Sequence, residues 1–217
     1  MNPNAAVPIQ LGVSPGDTLK SGPLEFPRGA LTEIVGPDSS GRTTIAYTLL
    51  AASTAKGEIC AFVDTYDSFD PVSAAACGVV LSQLIWIRCG KNAESALKAA
   101  DLLIHAGGFG VVVLDLCQIT ARVANGIPLS YWWRFRRAVE KTPAILALLE
   151  KQPLAKSSAS LQLEMQRKQV LWAGAPGFQV LRESELIAIP RKPMRAGAHS
   201  IRAVSYTHLT LPTILRV

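Results

Sequence analysis

The chain has 217 residues, of which 49% are hydrophobic and 18% charged, with a net charge of +6. That length and apolar content suit one α/β-sized domain with a sizeable core and exclude disorder over most of the chain. No apolar run approaches the roughly 18 residues of a membrane span, and residues 1–8 lack the basic and apolar regions of a signal peptide. A cytoplasmic protein without a membrane segment is therefore expected. Cys60, Cys77, Cys89 and Cys117 show no C-x-x-C spacing and are expected as buried thiols of a reducing compartment. Charge is uneven: residues 1–150 hold 12 Lys/Arg against 13 Asp/Glu, residues 151–217 hold 10 against 3. A basic C-terminal third points to a polyanionic or acidic partner near that end.

Residues 1–30 contain Pro3, Pro8, Pro15, Pro23 and Pro27, and are expected to form an extended arm with one short strand or turn. A core over residues 31–190 follows. Leu31 to Val35 is a short apolar strand, and Thr43 to Ala55 an Ala- and Leu-rich helix. Between them stands Gly36-Pro37-Asp38-Ser39-Ser40-Gly41-Arg42-Thr43-Thr44. This fits the phosphate-binding template G-x-x-x-x-G-K-[ST] except that Arg42 replaces lysine. Glycines let backbone amides close around phosphate oxygens, and the helix N-terminus adds partial positive charge. Thr43 keeps the hydroxyl that holds Mg²⁺. Arginine keeps the charge but not the compact ammonium, so the exchange weakens the case for hydrolysis more than the case for binding.

Alternating strands and helices continue downstream. Ile59 to Asp64 is a strand, Pro71 to Cys77 a short helix and Leu84 to Cys89 the next strand. Ala93 to Ala106 is a helix with Ala96, Leu97, Ala100, Leu103 and Ile104 on one face. Gly110 to Leu116 is apolar on both faces, as central parallel strands are. Leu129 to Thr142 is a helix, with Tyr131, Phe135 and Val139 facing the sheet and Arg134, Arg137 and Lys141 facing water. Ala144 to Leu149 is another buried strand. Leu161 to Gly174 and Phe178 to Pro190 are expected as antiparallel strands, with Glu183-Ser184 as a hairpin turn. The fold class is thus α/β: a mostly parallel central sheet, helices on both faces and a C-terminal antiparallel extension. Residues 191–217 read as a basic, disordered tail. Within it, 205–217 resembles a translated sequencing-adapter sequence, so the natural C-terminus is expected to be missing.

A nucleotide site also needs a carboxylate at the end of a neighbouring strand to hold Mg²⁺. Val111-Val112-Val113-Leu114-Asp115 supplies it at the sheet's C-terminal edge, where α/β ligands bind. Tyr131-Trp132-Trp133-Arg134-Phe135-Arg136-Arg137 mixes rings with cations, as single-strand-binding surfaces do, although an amphipathic helix explains most of it. Arg134 and Arg137, with Arg191 and Lys192 of the tail, are the candidate nucleic-acid contacts.

Together, Glu33 to Thr44, Ala61-Phe62-Val63-Asp64-Thr65-Tyr66-Asp67-Ser68-Phe69-Asp70-Pro71 and the Asp115 strand resemble the nucleotide-binding core of the RecA recombinase family. Within it they are most similar to the ImuA-type relatives associated with DNA damage repair. The resemblance covers residues 28–150 and implies a RecA-like P-loop NTPase fold with ATP and Mg²⁺ as cofactors. It also implies single-stranded DNA as a partner and a role in recombination or the SOS response. Three departures accompany it. Tyr66 stands where the family has a water-orienting glutamate, and a phenol is a poor base at neutral pH. Ser73 stands where an aromatic packs on adenine. After the strand ending at Leu149 come Glu150, Lys151 and Gln152, without the family's long DNA-binding loop.

Nor is there an N-terminal helix of the kind through which RecA subunits polymerise, so filament formation is not expected. Three readings stay open. One is an ATP-binding accessory protein with weak or absent hydrolysis, contacting another repair protein or an error-prone polymerase. The second is a DNA-stimulated ATPase using Asp67 or Glu150 as its base, and the third an interaction module with a relic nucleotide site.

Overall fold

The computed structural model describes residues 17–173, 180–192 and 199–204. One sheet of eight strands dominates: β3 (Ala30–Val35), β4 (Ile59–Asp64), β5 (Leu84–Arg88), β6 (Phe109–Asp115), β7 (Ile145–Glu150), β8 (Leu161–Ala173), β9 (Val180–Lys192) and β10 (His199–Val204). Their spatial order is β10-β9-β8-β3-β7-β6-β4-β5. Strands β3 to β8 run parallel, and β9 and β10 extend the sheet antiparallel from β8. The expected mostly parallel sheet with an antiparallel C-terminal extension is therefore present.

Helices cover both faces. On one side α1 (Arg42–Thr54) and α2 (Pro71–Ala76) pack with Ile34, Phe62, Val113 and Leu149 of the strands. On the other, α3 (Ala93–Ala106) and α5 (Leu129–Val139) pack over Leu31, Val112, Leu114 and Leu148. Burial of both faces is why β6 and β7 read as continuous apolar runs. Short side chains end the helices where the sequence places them. Asp70 caps α2 through the amides of Val72 and Ser73, with Pro71 following, and Asn92 caps α3 through the Ser95 amide at 3.0 Å. A further short helix, α4 (Ala121–Gly126), is capped by Thr120.

Several boundaries depart from the sequence reading. The arm holds two strands, β1 (Thr18–Ser21) and β2 (Leu24–Pro27), which form a hairpin whose Leu19, Leu24 and Phe26 join the α1-side core. Glu183 and Ser184 do not turn the chain. They lie inside β9, opposite Leu171 and Val170 of β8 and Val204 and Ala203 of β10. The β8–β9 connection falls at residues 174–179, outside those described. Arg191 and Lys192 belong to β9 and His199–Val204 to β10, so ordered strand occupies part of the stretch read as a tail. Residues 205–217 lie outside the described residues. In α5 the inward anchors are Trp132, Phe135 and Val139, each at most 1% exposed, whereas Tyr131 is only half-buried. Cys60 is buried, but Cys77 is exposed and Cys89 and Cys117 are intermediate; all four are free thiols. Among the described residues no helix is long and apolar enough to cross a membrane.

Candidate nucleotide site

The loop joining β3 to α1 turns through two left-handed residues, Ser39 (φ 59°) and Gly41 (φ 91°). Glycine is required at both ends of it. A Cβ on Gly36 would stand 2.5 Å from the carbonyl oxygen of Met165, and one on Gly41 2.3 Å from Cδ1 of Leu186. Strands β8 and β9 therefore brace the loop from the side, at distances only hydrogen permits. Helix α1 begins with no side-chain cap and no acidic residue in its first turn. Its first amides and the positive end of its dipole stay available. The Ser40 hydroxyl is buried without a hydrogen-bond partner. An uncapped thirteen-residue helix and an orphaned donor inside the loop fit a phosphate group.

Arg42 is turned back onto the protein. Its guanidinium donates to the Glu150 carbonyl at 2.7 Å and to Asp38 Oδ1 at 3.2 Å, and it is 6% exposed. Lys151 holds the other Asp38 oxygen at 2.8 Å. Lys151 first, and Arg42 after it, keep the Asp38 carboxyl below its ordinary range. One carboxylate thus serves two cations, and the loop keeps net positive charge. The Gly36 amide also donates to the Glu150 carbonyl, at 3.2 Å, so the end of β7 organises both the loop's entry and its arginine.

Asp115 sits at the end of β6, 7% exposed, two strands from β3 and so roughly 10 Å away in the sheet. Its oxygens accept from the Ser68 hydroxyl at 2.6 Å and the Cys117 amide at 2.8 Å. Thr43 is exposed on the first turn of α1. A hydroxyl and a hard carboxylate at the same sheet edge suit a magnesium ion held by Thr43 and, through water, by Asp115. Among the described residues no group of three or more His, Cys, Asp or Glu is arranged to hold a metal. Any Mg²⁺ here would depend on the nucleotide for most of its ligands. Asp64 shapes the neighbouring turn: it accepts from the amides of Ser68 and Phe69 at 2.9 Å and from Trp86 Nε1 at 3.1 Å.

The two candidate bases are placed elsewhere. Asp67 is exposed, at φ 60°, and paired with Arg88 at 2.7 Å, which holds its carboxyl below the ordinary range. Glu150 is 1% exposed. By strand alternation its side chain lies with Leu148 on the α5 side of the sheet, opposite α1. There it meets Glu33. Glu33 accepts from the amides of Leu154 (2.6 Å) and Ala155 (2.7 Å), and Glu150 from Leu154 at 2.9 Å. Burial, then the Glu33 charge, push the Glu150 carboxyl well above its usual value, and burial also raises Glu33. Glu33 Oε2 and Glu150 Oε1 are both buried without a hydrogen-bond partner among the described residues. Burial beside a second carboxyl favours the protonated form of Glu150, on the face of the sheet away from the loop.

The nucleic-acid candidates separate into two groups. Arg191 pairs with Glu164 at 2.6 Å, and Lys192 donates to the carbonyls of Ser157 (2.9 Å) and Ala159. Both serve the β8–β9 extension. Arg134 and Arg137 lie exposed on α5, where Arg134 pairs with Asp101 at 3.3 Å. Sequence reasoning placed Ser68, Lys151 and Glu33 within or beside the segments that carry the family resemblance but assigned none of them a role. Only Glu33 carried a signal, as a charge inside an otherwise apolar strand. The Lys151–Asp38 contact spans 113 residues and no local pattern announces it.

Comparison with known proteins agrees with this geometry. A model of the RecA N-terminal domain matches residues 15–125, just over half of the chain. Protein RecA of Deinococcus radiodurans is 43% identical over 129 residues, covering 56% of this chain and 35% of that protein. Protein RecA of Rhizobium etli is 37% identical over 137 residues, covering 63% and 35%. Protein RecA of Chloroflexus aurantiacus is 40% identical over 89 residues, covering 41% and 25%. The chain thus spans about a quarter to a third of the length of these relatives. A solved structure of the RadB recombinase shares the fold, with a TM-score of 0.58 at 18% identity over 82% of this chain and 87% of that one. An open-ended α1 behind a glycine-framed loop, on a sheet of this order, and a match across residues 15–125 lead to one conclusion: the chain belongs to the RecA family.

Proposed function

We propose that this protein is a cytoplasmic ATP-binding member of the RecA family, acting in DNA repair or the SOS and translesion response without appreciable hydrolysis. The uncapped start of α1 behind Gly36–Gly41, with the Ser40 hydroxyl left unpaired, supports nucleotide binding. The loop amides would hold the phosphates, joined by Arg42 once its guanidinium leaves the Glu150 carbonyl and Asp38, with Thr43 and Asp115 on Mg²⁺. The metal would supply charge neutralisation between the outer phosphates. Weak turnover follows from where the carboxylates are. Asp67 is held by Arg88, Glu150 is buried beside Glu33 on the face of the sheet opposite α1, and a tyrosine such as Tyr66 is a poor general base at neutral pH. Phosphoryl transfer depends almost wholly on positioned charge and a positioned water, and neither candidate base, Asp67 or Glu150, is free to orient one. ATP then stabilises the fold and gates contact with another repair protein or an error-prone polymerase.

Phosphate release and ATP binding measured on one preparation test the reading. ATP should bind while release stays at background with and without single-stranded DNA. Release that DNA stimulates, and that Asp67→Asn or Glu150→Gln abolishes, would replace this reading with an active ATPase.

A further inference from the structure

A groove of about 660 Å³ lies between the last turn of α3 and the outer face of α5, lined by residues that the nucleotide site does not use. Trp133, Arg137 and Lys141 follow one another at four-residue spacing along one wall, with Ala138 beside them and Ile104 and His105 of α3 completing the lining. His105 and Lys141 each stand just before the strand that follows, β6 and β7, so the groove lies at the N-terminal edge of the sheet. The phosphate loop lies at the C-terminal edge, one strand length and roughly 20 Å away.

The two acidic side chains that flank this groove are already engaged. Asp101 on α3 pairs with Arg134 at 3.3 Å and with His105 at 3.6 Å, and Glu140 at the end of α5 pairs with Arg136 at 2.7 Å. None of the ion pairs among the described residues involves Arg137 or Lys141, which are both exposed. Residues 1–16, 174–179, 193–198 and 205–217 contain no Asp or Glu, so none of those segments brings a carboxylate side chain to them. The nearby aromatic rings are not bare: Arg136 lies over Trp133 at 5.4 Å and Arg134 over Tyr131 at 4.6 Å. A stacked base needs an open ring face, so this lining suits carboxylates better than bases.

We infer that this groove docks an acidic amphipathic helix of a partner protein, with two carboxylates on Arg137 and Lys141 and an apolar side chain against Ile104, Ala138 and Trp133. The two cations stand one helical turn apart, so Glu residues at i and i+4 of a partner helix meet them together. The groove has room for a group of side chains, far more than one bound ion needs. Its walls are helices whose backbone groups are paired internally, and they offer no edge to an extended strand. The occupant must therefore bring a backbone already satisfied, as a helix does. The inference rests on the groove alone and does not depend on ATP binding at the other edge of the sheet.

Fluorescence anisotropy tests the inference, with the full chain titrated into a labelled alanine-based helical peptide carrying Glu at i and i+4 and Leu at i+3 and i+7. The peptide should bind, and the double substitution Arg137→Glu and Lys141→Glu should weaken binding about tenfold or more. A peptide with Lys in place of both Glu should bind the doubly substituted chain better than the wild type, a reversal that damage to the fold would not produce. A peptide of the same composition with its two Glu on opposite faces should bind several-fold more weakly, and oligo-dT at equal charge should leave most of the first peptide bound. No binding, equal binding by the folded double variant or by the rearranged peptide, or displacement by oligo-dT would overturn the inference. A dimer of the chain in sedimentation that the double substitution splits would put a second copy in the groove, and would overturn it too.

Discussion

At the scale of single residues, the phosphate loop is governed by who holds Arg42. Its guanidinium is shared between the Glu150 carbonyl and Asp38, and Lys151 takes the other side of Asp38. Asp38 places a negative charge where phosphates would sit. Asp38→Asn should therefore tighten Mg-ATP binding several-fold, as a fluorescent-analogue titration would show; weaker binding would mean that Asp38 serves mainly to position Arg42. The Glu33–Glu150 pair makes a pH prediction. Both carboxyls are raised in the folded protein, so the native state keeps a proton that the unfolded chain releases above about 4.5. This contribution to stability is complete at low pH and is lost as pH rises through the folded-state values. Glu150→Gln keeps a donor to Glu33 without titrating. It should flatten the fall of the urea midpoint between weakly acidic and alkaline pH, and an unchanged slope would place the titration elsewhere.

At the scale of elements, α5 shows how far periodicity reaches. The spacing of Phe135 and Val139 located its buried face, and α3 and β4 begin and end where their patterns do. Periodicity chose Tyr131 for the next inward position, and the structure buries Trp132 instead, because both lie within one turn of that face and packing against α3 and the sheet makes the choice. Trp132→Ala should cost ~3–5 kcal/mol of stability and Trp133→Ala less than ~0.5, read from denaturant unfolding. Equal costs would place both rings in the core. The hairpin turn was misplaced for a different reason. β8 and β9 are thirteen residues each, long for strands, and polar Glu183-Ser184 within such a strand resembles a turn until the third strand, β10, pairs with it. The two-residue signal was local, whereas the pairing that overrides it is not.

At the scale of the whole molecule, the α/β class, the strand alternation and the phosphate loop were legible because each is written in contiguous residues. The loop's support was not. Leu186 and Met165 approach Gly41 and Gly36 from strands more than a hundred residues downstream, so the C-terminal extension acts as a wall of the nucleotide site as well as part of the sheet. The Arg42 clasp and the carboxyl pair likewise join distant segments. The proposed function rests on a nucleotide binding at the sheet's C-terminal edge. Titration calorimetry with Mg-ATP, on the wild type and on Thr43→Ala, tests it most directly. One ATP per chain should bind the wild type, with at least about tenfold weaker binding once the hydroxyl is removed. No heat of binding to a folded wild type, or equal binding by Thr43→Ala, would contradict it.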